Sequence, residues 1–539
     1  VGDVGYSFLL WVNKIYNRRR LRKGLPYYSI AREIKLKVKA SVSYISDFEK
    51  HIVDIAGKKE CQGVICGHIH YPEKKMIGNV LYLNSGDWME SLSALTEDYD
   101  GNWNVYIEEK VLSTRQMEKE TICVQAGWKP KNGEPRVLPI YQSTTFKYET
   151  SEQMGKLFDL EESGYFYTRL QNPTNDCVAA KICELEGGVA AMLTSSGQAA
   201  TYYSVFNICE AGDHCIMSAT VYGGTFNLLT CTMKKMGIAC TVVDPDLPAE
   251  ELEKAFRPNT KCVFAETIAN PALVVLDIEK FANLAHAHGV PLIVDNTFAT
   301  PINCNPFKWG ADIVTHSTTK YMDGHAMSVG GCIVDSGNFD WTRYPEKFPG
   351  LCTPDESYHG ITYTEKFGKL AYITKATSQL MRDLGSIQSP QNAFILNLGL
   401  ESLPLRMKQH CANAQAVAEF LQGHEKVKWV KFAGLKGDKY YDLAHKYMPN
   451  GTCGVISFGL YGGRKAAETF MKHLKLGAIE THVADSHTCC LHPASSTHRQ
   501  MTDAELDAAG VGADLIRLSC GLENAQDLIE DIAQALENV

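Results

Sequence analysis

The chain has 539 residues, of which 45% are hydrophobic, 10% aromatic and 21% charged, which excludes both one small domain and global disorder. A formal net charge of −9 excludes the basic field that nucleic-acid backbones require, so no nucleic-acid partner is expected. The charge is uneven: residues 1–115 carry 17 basic and 14 acidic side chains, net +3, leaving −12 for residues 116–539, so the two stretches read as separate.

At the N-terminal end the apolar run Tyr6–Val12 is too short to span a bilayer. The cations Arg18, Arg19, Arg20, Arg22 and Lys23 follow it, whereas a secretory signal places its charge first, and a cytoplasmic location is expected. Those cations read as a solvated helix face, with contact to anionic lipid as the less favoured alternative. Further on, His68 and His70 stand two apart in Gly67-His-Ile-His and can ligate metal, with a structural role as the alternative. Residue 1 is Val, which keeps open a start inside a longer chain. Eighteen cysteines are scattered without a CxxC pair, so reduced thiols are expected.

Residues 116–172 are rich in Tyr, Pro and Gly with little periodicity and read as an arm. From Ala190 to Val334 short β-rich runs alternate with helical stretches: Ala190–Thr194, Cys215–Ser218, Cys240–Val243, Cys262–Ala265, Pro291–Val294, Asp312–Thr315 and Gly331–Val334. The stretches between them predict helices over Gln198–Cys209, Thr225–Met236, Glu250–Phe256 and Ile278–His288, the last stopped by Gly289. The pattern predicts βαβ units and a mainly parallel sheet in a large α/β domain over 173–388. Beyond Ser389, helices over Gln391–Leu400, Leu405–Leu421, Arg464–Leu474 and Ala525–Leu536 flank strands Val455–Leu460 and Ile516–Leu518, which predicts a smaller α+β domain over 389–539.

Ligands of such sheets bind beyond the carboxyl ends of the strands, so the residues that follow each strand carry the functional reading. One strand runs into Ser317-Thr-Thr319-Lys320, which offers two hydroxyls for a phosphate and an amine able to bond an aldehyde cofactor. Another ends at Asp295, a carboxylate able to keep a pyridine nitrogen protonated, or a simple helix cap. A third runs into Ser195-Ser-Gly197-Gln198, where glycine admits a ligand to the helix N-terminus. Tyr222 follows a fourth and can stack on a flat heterocycle, or pack in a core. Phosphate donors, a stacking ring, an acid and a lysine at four strand ends fit one cofactor, pyridoxal 5'-phosphate.

These residues sit in a series of motifs over 116–539: Tyr167-Thr-Arg169 with Asn172-Pro-Thr, SSGQAA, YGGT, Glu266-Thr-Ile-Ala-Asn270-Pro, VDNTF, HSTTK and Ile516-Arg517-Leu-Ser-Cys-Gly-Leu-Glu. In that order they resemble the Cys/Met-metabolism family of fold-type I pyridoxal phosphate enzymes. The resemblance implies a seven-stranded, mainly parallel sheet with helices on both faces and a smaller C-terminal domain. It makes Lys320 the cofactor lysine and proton shuttle, Asp295 the partner of the ring nitrogen, and Gly197, Gln198, Ser317 and Thr319 the phosphate cup. Tyr222 would stack on the ring and help protonate the leaving group, and Asn270 would lie near the phenolic oxygen. Arg517 would hold the substrate carboxylate, with Ser486 beside it. Tyr167 and Arg169 would reach the phosphate of a neighbouring subunit, which implies a homo-oligomer, a tetramer, with intersubunit sites.

Within the family, Leu491-His-Pro-Ala-Ser-Ser-Thr-His498 and YGGTFN resemble the O-acetylhomoserine sulfhydrylases, and Gly224 stands where methionine γ-lyases carry cysteine. The implied reaction is γ-replacement: O-acetyl-L-homoserine and sulfide give L-homocysteine and acetate, a step of methionine biosynthesis. A γ-lyase or a cystathionine-forming enzyme is the alternative. The tract His487, Cys489, Cys490, His492, His498 invites a metal, but its spacing does not suit structural zinc and no metal is expected there. Residues 1–110, through Gly67-His68-Ile69-His70 and Leu83-Asn-Ser-Gly-Asp-Trp88, resemble the C-terminal part of calcineurin-like metallophosphoesterases of the UDP-2,3-diacylglucosamine pyrophosphatase-like group. The other metal motifs of that family do not precede Gly67, so His68 and His70 read as remnant ligands and a phosphoesterase activity is disfavoured.

Overall fold

The computed structural model describes residues 44–67, 73–85, 93–97, 103–107, 117–497, 499–500, 502–503, 506 and 510–539. The cations Arg18 to Lys23, the histidines His68 and His70, and His498 lie outside the described residues. The chain divides into two compact units, Val1–Met117 and Glu118–Val539.

In the first unit, helix α1 (Tyr44–Lys58) is followed by strands β1 (Gly63–Cys66), β2 (Glu73–Ile77) and β3 (Val80–Asn84). The last two form a hairpin turned at Gly78 and Asn79, whose positive φ of 61° at Gly78 suits a tight turn. β3 lies centrally, antiparallel to β2 and parallel to β1, and carries the buried Tyr82 and Leu83. Strands β4 (Ser93–Glu97) and β5 (Trp103–Ile107) pair separately.

The second unit begins with helix α2 (Lys119–Gln125), which places Ile122 and Cys123 in the main core together with Ala126 and Leu138. Part of the segment that reads as an arm is therefore core. Helix α3 (Pro173–Glu186) follows, capped by Asn172, whose side chain accepts from the Thr174 amide, and ended by Gly187 at φ 77°.

The large sheet has seven strands: β6 (Ala190–Thr194), β7 (His214–Ser218), β8 (Ala239–Val243), β9 (Thr260–Glu266), β10 (Leu292–Asp295), β11 (Ile313–His316) and β12 (Gly331–Asp335). Their order is β6-β12-β11-β10-β9-β7-β8. Only β12 runs antiparallel to its neighbours. Strands β7, β9, β11 and β12 are buried at every position, which is why they read as continuous apolar runs. Side chains alternate between two cores: Ile293, Ile313 and Ile333 enter one, while Val294, Val314 and Val334 enter the other. Helix α4 (Gly197–Phe206) supplies one core, and α6 (Ile278–Ala287) supplies the opposite one. Between them in sequence, the expected helix over 225–236 starts as α5 (Gly223–Asn227) and continues through a π turn and a 3₁₀ turn to Met236.

Helix α7 (Pro390–Gln422) runs for 33 residues straight through Pro404, where sequence pattern predicts two helices. Proline removes one backbone N–H and crowds the preceding turn. Here the apolar stripe Leu396, Leu400, Leu403 and Met407 stays buried across the break. The buried Arg406 also donates to the Gly399 carbonyl at 2.7 Å, one turn before the proline. The C-terminal sheet has five strands in the order β13-β14-β17-β16-β15: β13 (Val427–Lys431), β14 (Val455–Leu460), β15 (Ala478–Ile479), β16 (Cys489–Leu491) and β17 (Leu515–Ser519). Helices α8 (Gly463–His473) and α9 (Ala525–Glu537) pack their apolar faces on it. Sequence pattern finds neither β13, β15 nor β16. Among the described residues no helix is long and apolar enough to cross a membrane.

Candidate active site

Four parallel strands, β7, β9, β10 and β11, end on the same side of the large sheet, and β6, antiparallel to β12, opens into the helix that begins at Gly197. A carbon added to Gly197 would sit 2.5 Å from the Ser317 Cβ and 2.8 Å from its Cα. Only glycine therefore lets the N-terminus of α4 lie against the turn after β11. Ser196 caps the helix by accepting from the Ala199 amide at 3.1 Å. The amides of Gly197 and Gln198 belong to the first turn, which has no intrahelical acceptor, and with Ser317 they form a cradle that suits a phosphate. Thr319, expected in that cup, has its hydroxyl tied on both sides to Gly330, donating to the carbonyl at 3.2 Å and accepting from the amide at 3.1 Å.

Asp295 ends β10 and is tied back to the cradle. Its Oδ1 accepts from the Thr297 amide at 2.9 Å and from the Thr297 hydroxyl at 2.5 Å, and that hydroxyl accepts from the Ser317 amide at 2.8 Å. Burial pushes the Asp295 carboxyl up, and the two Thr297 bonds oppose the push. Its in-register neighbour on β9 is Glu266, a second buried carboxylate. Burial first and Asp295 second hold Glu266 well above the usual carboxylate range. Glu266 Oε1 accepts from the Tyr222 amide at 2.6 Å, which fixes the start of α5. A polar lattice lies behind: Asn296 donates to Glu186 at 2.9 Å and His316 meets the same oxygen at 2.7 Å.

Lys320 follows β11. Burial, reinforced by the neighbouring Arg517 guanidinium, brings its ammonium down to about 8. Its Nζ lies 3.5 Å from Nδ1 of His482. Arg517, on β17, is buried and donates to Asn270 Oδ1 at 3.3 Å and to the carbonyls of Thr481 and His482 at 3.2 and 2.8 Å. Its Nε is buried without a protein partner. Tyr222 is 50% exposed and folds back over Gly224, where an added carbon would lie 2.5 Å from the ring. Gln198 reaches the same place, its amide 3.5 Å from the Thr225 hydroxyl.

The fold thus gathers Gly197, Gln198, Ser317, Asp295, Lys320, Tyr222, Asn270 and Arg517. The remaining residues named from sequence make the following contacts. Ser486 directs its hydroxyl to Asp485 at 3.2 Å and to His487 at 3.3 Å. The Arg169 guanidinium stacks 5.3 Å from the Tyr167 ring, and Arg169 donates to the Arg382 carbonyl. Both line a cavity of about 1560 Å³ whose walls include Tyr165, Phe158 and Ile387 but neither Lys320 nor Asp295. Cys489 and Cys490 lie side by side on the buried strand β16, so their thiols face opposite sides of the sheet.

Sequence reasoning gave no role to Glu266 and Thr297, although both stand in the quoted motifs, and passed over His482. Glu266 ends a parallel strand and could have been found by the rule that found Asp295. His482 sits in an irregular loop 162 residues beyond Lys320, and no local pattern marks it.

The residues fit pyridoxal phosphate: a glycine cradle that one methyl group would fill, a buried carboxylate across from it, and a lysine whose ammonium is destabilised. Comparison with known proteins agrees. An O-acetyl-L-homoserine sulfhydrylase from Leptospira meyeri is 43% identical over 435 residues, 79% of this chain and 98% of its own length. A homocysteine synthase from Schizosaccharomyces pombe is 43% identical over 420 residues, 78% of this chain and 98% of its own. A crystal structure described as an O-acetylhomoserine (thiol)-lyase from Campylobacter jejuni superposes with a TM-score of 0.75 at 36% identity, over 78% of this chain and 100% of that one. That protein carries a pyridoxyl-lysine monophosphate. The family model of the Cys/Met metabolism PLP-dependent enzymes matches residues 120–537, and with the fold-type I architecture described above this chain belongs to that family, with pyridoxal phosphate as its cofactor.

Proposed function

We propose that the enzyme carries out γ-replacement, converting O-acetyl-L-homoserine and hydrosulfide to L-homocysteine and acetate. The observation that carries this reading is the pairing of Lys320 with Arg517 across His482, in a chain 43% identical to relatives named for that activity. Arg517 takes the substrate α-carboxylate in a forked pair, for which its free Nε is suited. That places the α-carbon toward Lys320. With an ammonium brought down to about 8, Lys320 is a free amine far more often near neutral pH than an ordinary lysine, and as that amine it can take the α-proton and return one later.

Pyridoxal phosphate, bonded to Lys320 when bound, supplies the electron withdrawal that acidifies the α-proton. Gly197, Gln198 and Ser317 hold its phosphate, with Thr319 shaping the turn. Asp295 would meet the ring nitrogen as a carboxylate, Tyr222 would cover the ring and Asn270 would lie toward the phenolic side. Acetate then leaves the γ-carbon and hydrosulfide takes its place, so atoms and charge balance without a redox step. Ser486 keeps a place near the carboxylate end of the substrate in this reading.

A homo-oligomer, a tetramer, is part of the proposal. Tyr167 and Arg169 line a cavity apart from their own Lys320, as residues serving a neighbouring subunit's site would. For residues 1–110 we propose the likeness to the C-terminal part of a calcineurin-like metallophosphoesterase, carried by Gly67-His68-Ile69-His70. Hydrolysis of a phosphodiester with added Mn²⁺ would support a working metal site there, and its absence with full sulfhydrylase turnover would leave only a remnant.

The test is to incubate the cofactor-loaded protein with O-acetyl-L-homoserine, with and without sulfide, and to quantify homocysteine and 2-oxobutyrate together. Sulfide-dependent homocysteine is expected. Mainly 2-oxobutyrate would replace the reading with γ-elimination.

A further inference from the structure

His482 stands between the two cations of the site. Its imidazole Nδ1 is 3.5 Å from Lys320 Nζ, while its own carbonyl accepts from Arg517 Nη2 at 2.8 Å. The same carbonyl accepts from the Cys489 thiol at 3.3 Å. Two donors from two strands thus fix the backbone of His482, and the ring is fixed relative to Lys320 with it. Ala484, two residues on, adopts a left-handed backbone at φ 67°, and its amide donates to the Ser519 hydroxyl at 2.8 Å, so the loop is held on its far side as well.

The ring faces Lys320 from the turn after β11, with Arg517 against its backbone from β17. Glu480 and Asp485 come from its own loop, Asp323 from beyond Lys320, and the Cys489 thiol from β16. Burial, and then the Lys320 charge, lower its basicity, so it stands as a neutral imidazole. With Nδ1 turned to an amine, the ring proton sits on Nε2, which is buried without a protein partner.

We propose that His482 is the positioning residue for Lys320: its Nδ1 accepts a hydrogen bond from the lysine whenever that lysine is not bonded to the cofactor. The bond holds the amine on the Arg517 side of the cleft, where the substrate α-carbon lies if Arg517 binds the carboxylate. One short loop then sets the distance between the group that removes the proton and the group that holds the acid. This inference rests on the assignment of Lys320 and Arg517 made above. Without the His482 imidazole, Lys320 would lose the acceptor that turns it toward Arg517, and the flexible lysine would lose its aim.

The test uses two amides of different reach. His482→Asn places a carbonyl oxygen where Nδ1 stands, whereas His482→Gln carries its carbonyl one bond beyond. Cofactor capture by the apoprotein, followed by absorbance between pH 6 and 10, reads the free Lys320 amine directly and is expected to rise through about 8 in the parent protein. A hydrogen bond to the ammonium favours its charged form, so losing it moves that midpoint downward. We expect Asn to keep both the midpoint and the turnover within about twofold. Gln should lower the midpoint and slow turnover about tenfold, the worth of one hydrogen bond. Identical behaviour of Asn and Gln, or a Gln variant equal to the parent, would overturn the proposal. Borohydride reduction and peptide mapping of the loaded parent separate the two levels: cofactor on another lysine refutes the site assignment itself, whereas cofactor on Lys320 with indistinguishable variants refutes only the role of His482.

Discussion

Two carboxylates stand in register at the ends of β9 and β10, and only one of them can carry a charge in this cleft. Adjacent strands are about 4.8 Å apart, so two full charges at about 5 Å would repel by about 3 kcal/mol at an effective dielectric constant of about 20. The hydrogen bonds decide which one keeps the proton. Asp295 receives both an amide and a hydroxyl from Thr297, while Glu266 is buried more deeply and is pushed up further, with two backbone amides as its only relief. Glu266 is therefore the one expected to hold the proton and Asp295 the charge, which in the proposed site would face the ring nitrogen. Glu266→Gln replaces a neutral acid by a neutral amide that can still accept from the Tyr222 amide. It should leave kcat/KM for sulfide-dependent homocysteine formation within about threefold, because no charge is lost. Asp295→Asn removes the charge that would pair with the cofactor's ring nitrogen, a buried pair worth about 3–5 kcal/mol, and should cost about 10²–10⁴-fold. The assay is steady-state homocysteine release at pH 8, with visible absorbance to count bound cofactor. A Glu266→Gln enzyme that keeps its cofactor yet loses about 10²-fold, the rate equivalent of about 3 kcal/mol, would show that Glu266 is the ionised partner and the proton assignment is wrong.

Gly197→Ala drives a methyl group to 2.5 Å from the Ser317 Cβ, so the cradle must open; dialysed protein should retain less than about a tenth of the cofactor, as counted by absorbance after alkali release. Arg517→Lys keeps the charge but loses the fork, so KM for O-acetylhomoserine should rise at least about tenfold with a smaller change in kcat. Asp335 on β12 accepts from the Gly337 amide at 2.8 Å, but its Oδ2 is buried without a partner, and burial raises its carboxyl from 3.8 to about 7. The folded chain then binds more protons than the unfolded one between these values, so this group's contribution to stability is full below about pH 4 and is lost as pH rises to about 7. Three units at 1.36 kcal/mol each give a loss on the order of 4 kcal/mol, and Asp335→Asn should raise the melting temperature much more at pH 8 than at pH 5. Equal shifts at both pH values would refute that account.

Much of this was legible in the sequence because parallel strands buried on both faces leave continuous apolar runs. All seven runs between Ala190 and Val334 became strands of the large sheet. The rule that ligands sit beyond strand ends then found Lys320, Asp295 and Gly197 without any contact being known. Where burial is one-sided or the element is short, the signal fades. β13 alternates half-buried apolar residues with Lys428 and Lys431, as an edge strand does, and reads as a charged loop. β16 is three residues long inside a tract of Cys and His, whose composition draws attention to metal chemistry rather than to packing. Pro404 misled for the opposite reason: a local breaker was overruled by a buried stripe that runs on both sides of it. His482 left no trace, because its place beside Lys320 is created by the C-terminal sheet and not by its neighbours in the chain.

The strand ends are also wired to one another, and Thr297 is the junction. Its hydroxyl accepts from the Ser317 amide at 2.8 Å, so its own proton must point to Asp295, 2.5 Å away. The bond that steadies the phosphate cradle therefore fixes the direction of the bond that keeps Asp295 ionised. Thr297→Val has nearly the same volume but removes both bonds, leaving the Ser317 amide without its acceptor at a cost of about 1–3 kcal/mol and Asp295 with the Thr297 amide alone. The expected result is a joint loss: cofactor dissociates about 10–100-fold more readily, and the bound fraction turns over more slowly because Asp295 is more readily protonated. Thr297→Ser keeps the hydroxyl and should restore both. A Val variant that loses cofactor affinity while its bound fraction turns over at the parent rate would break the link, leaving the cradle and the carboxylate as independent sites that share only a strand end.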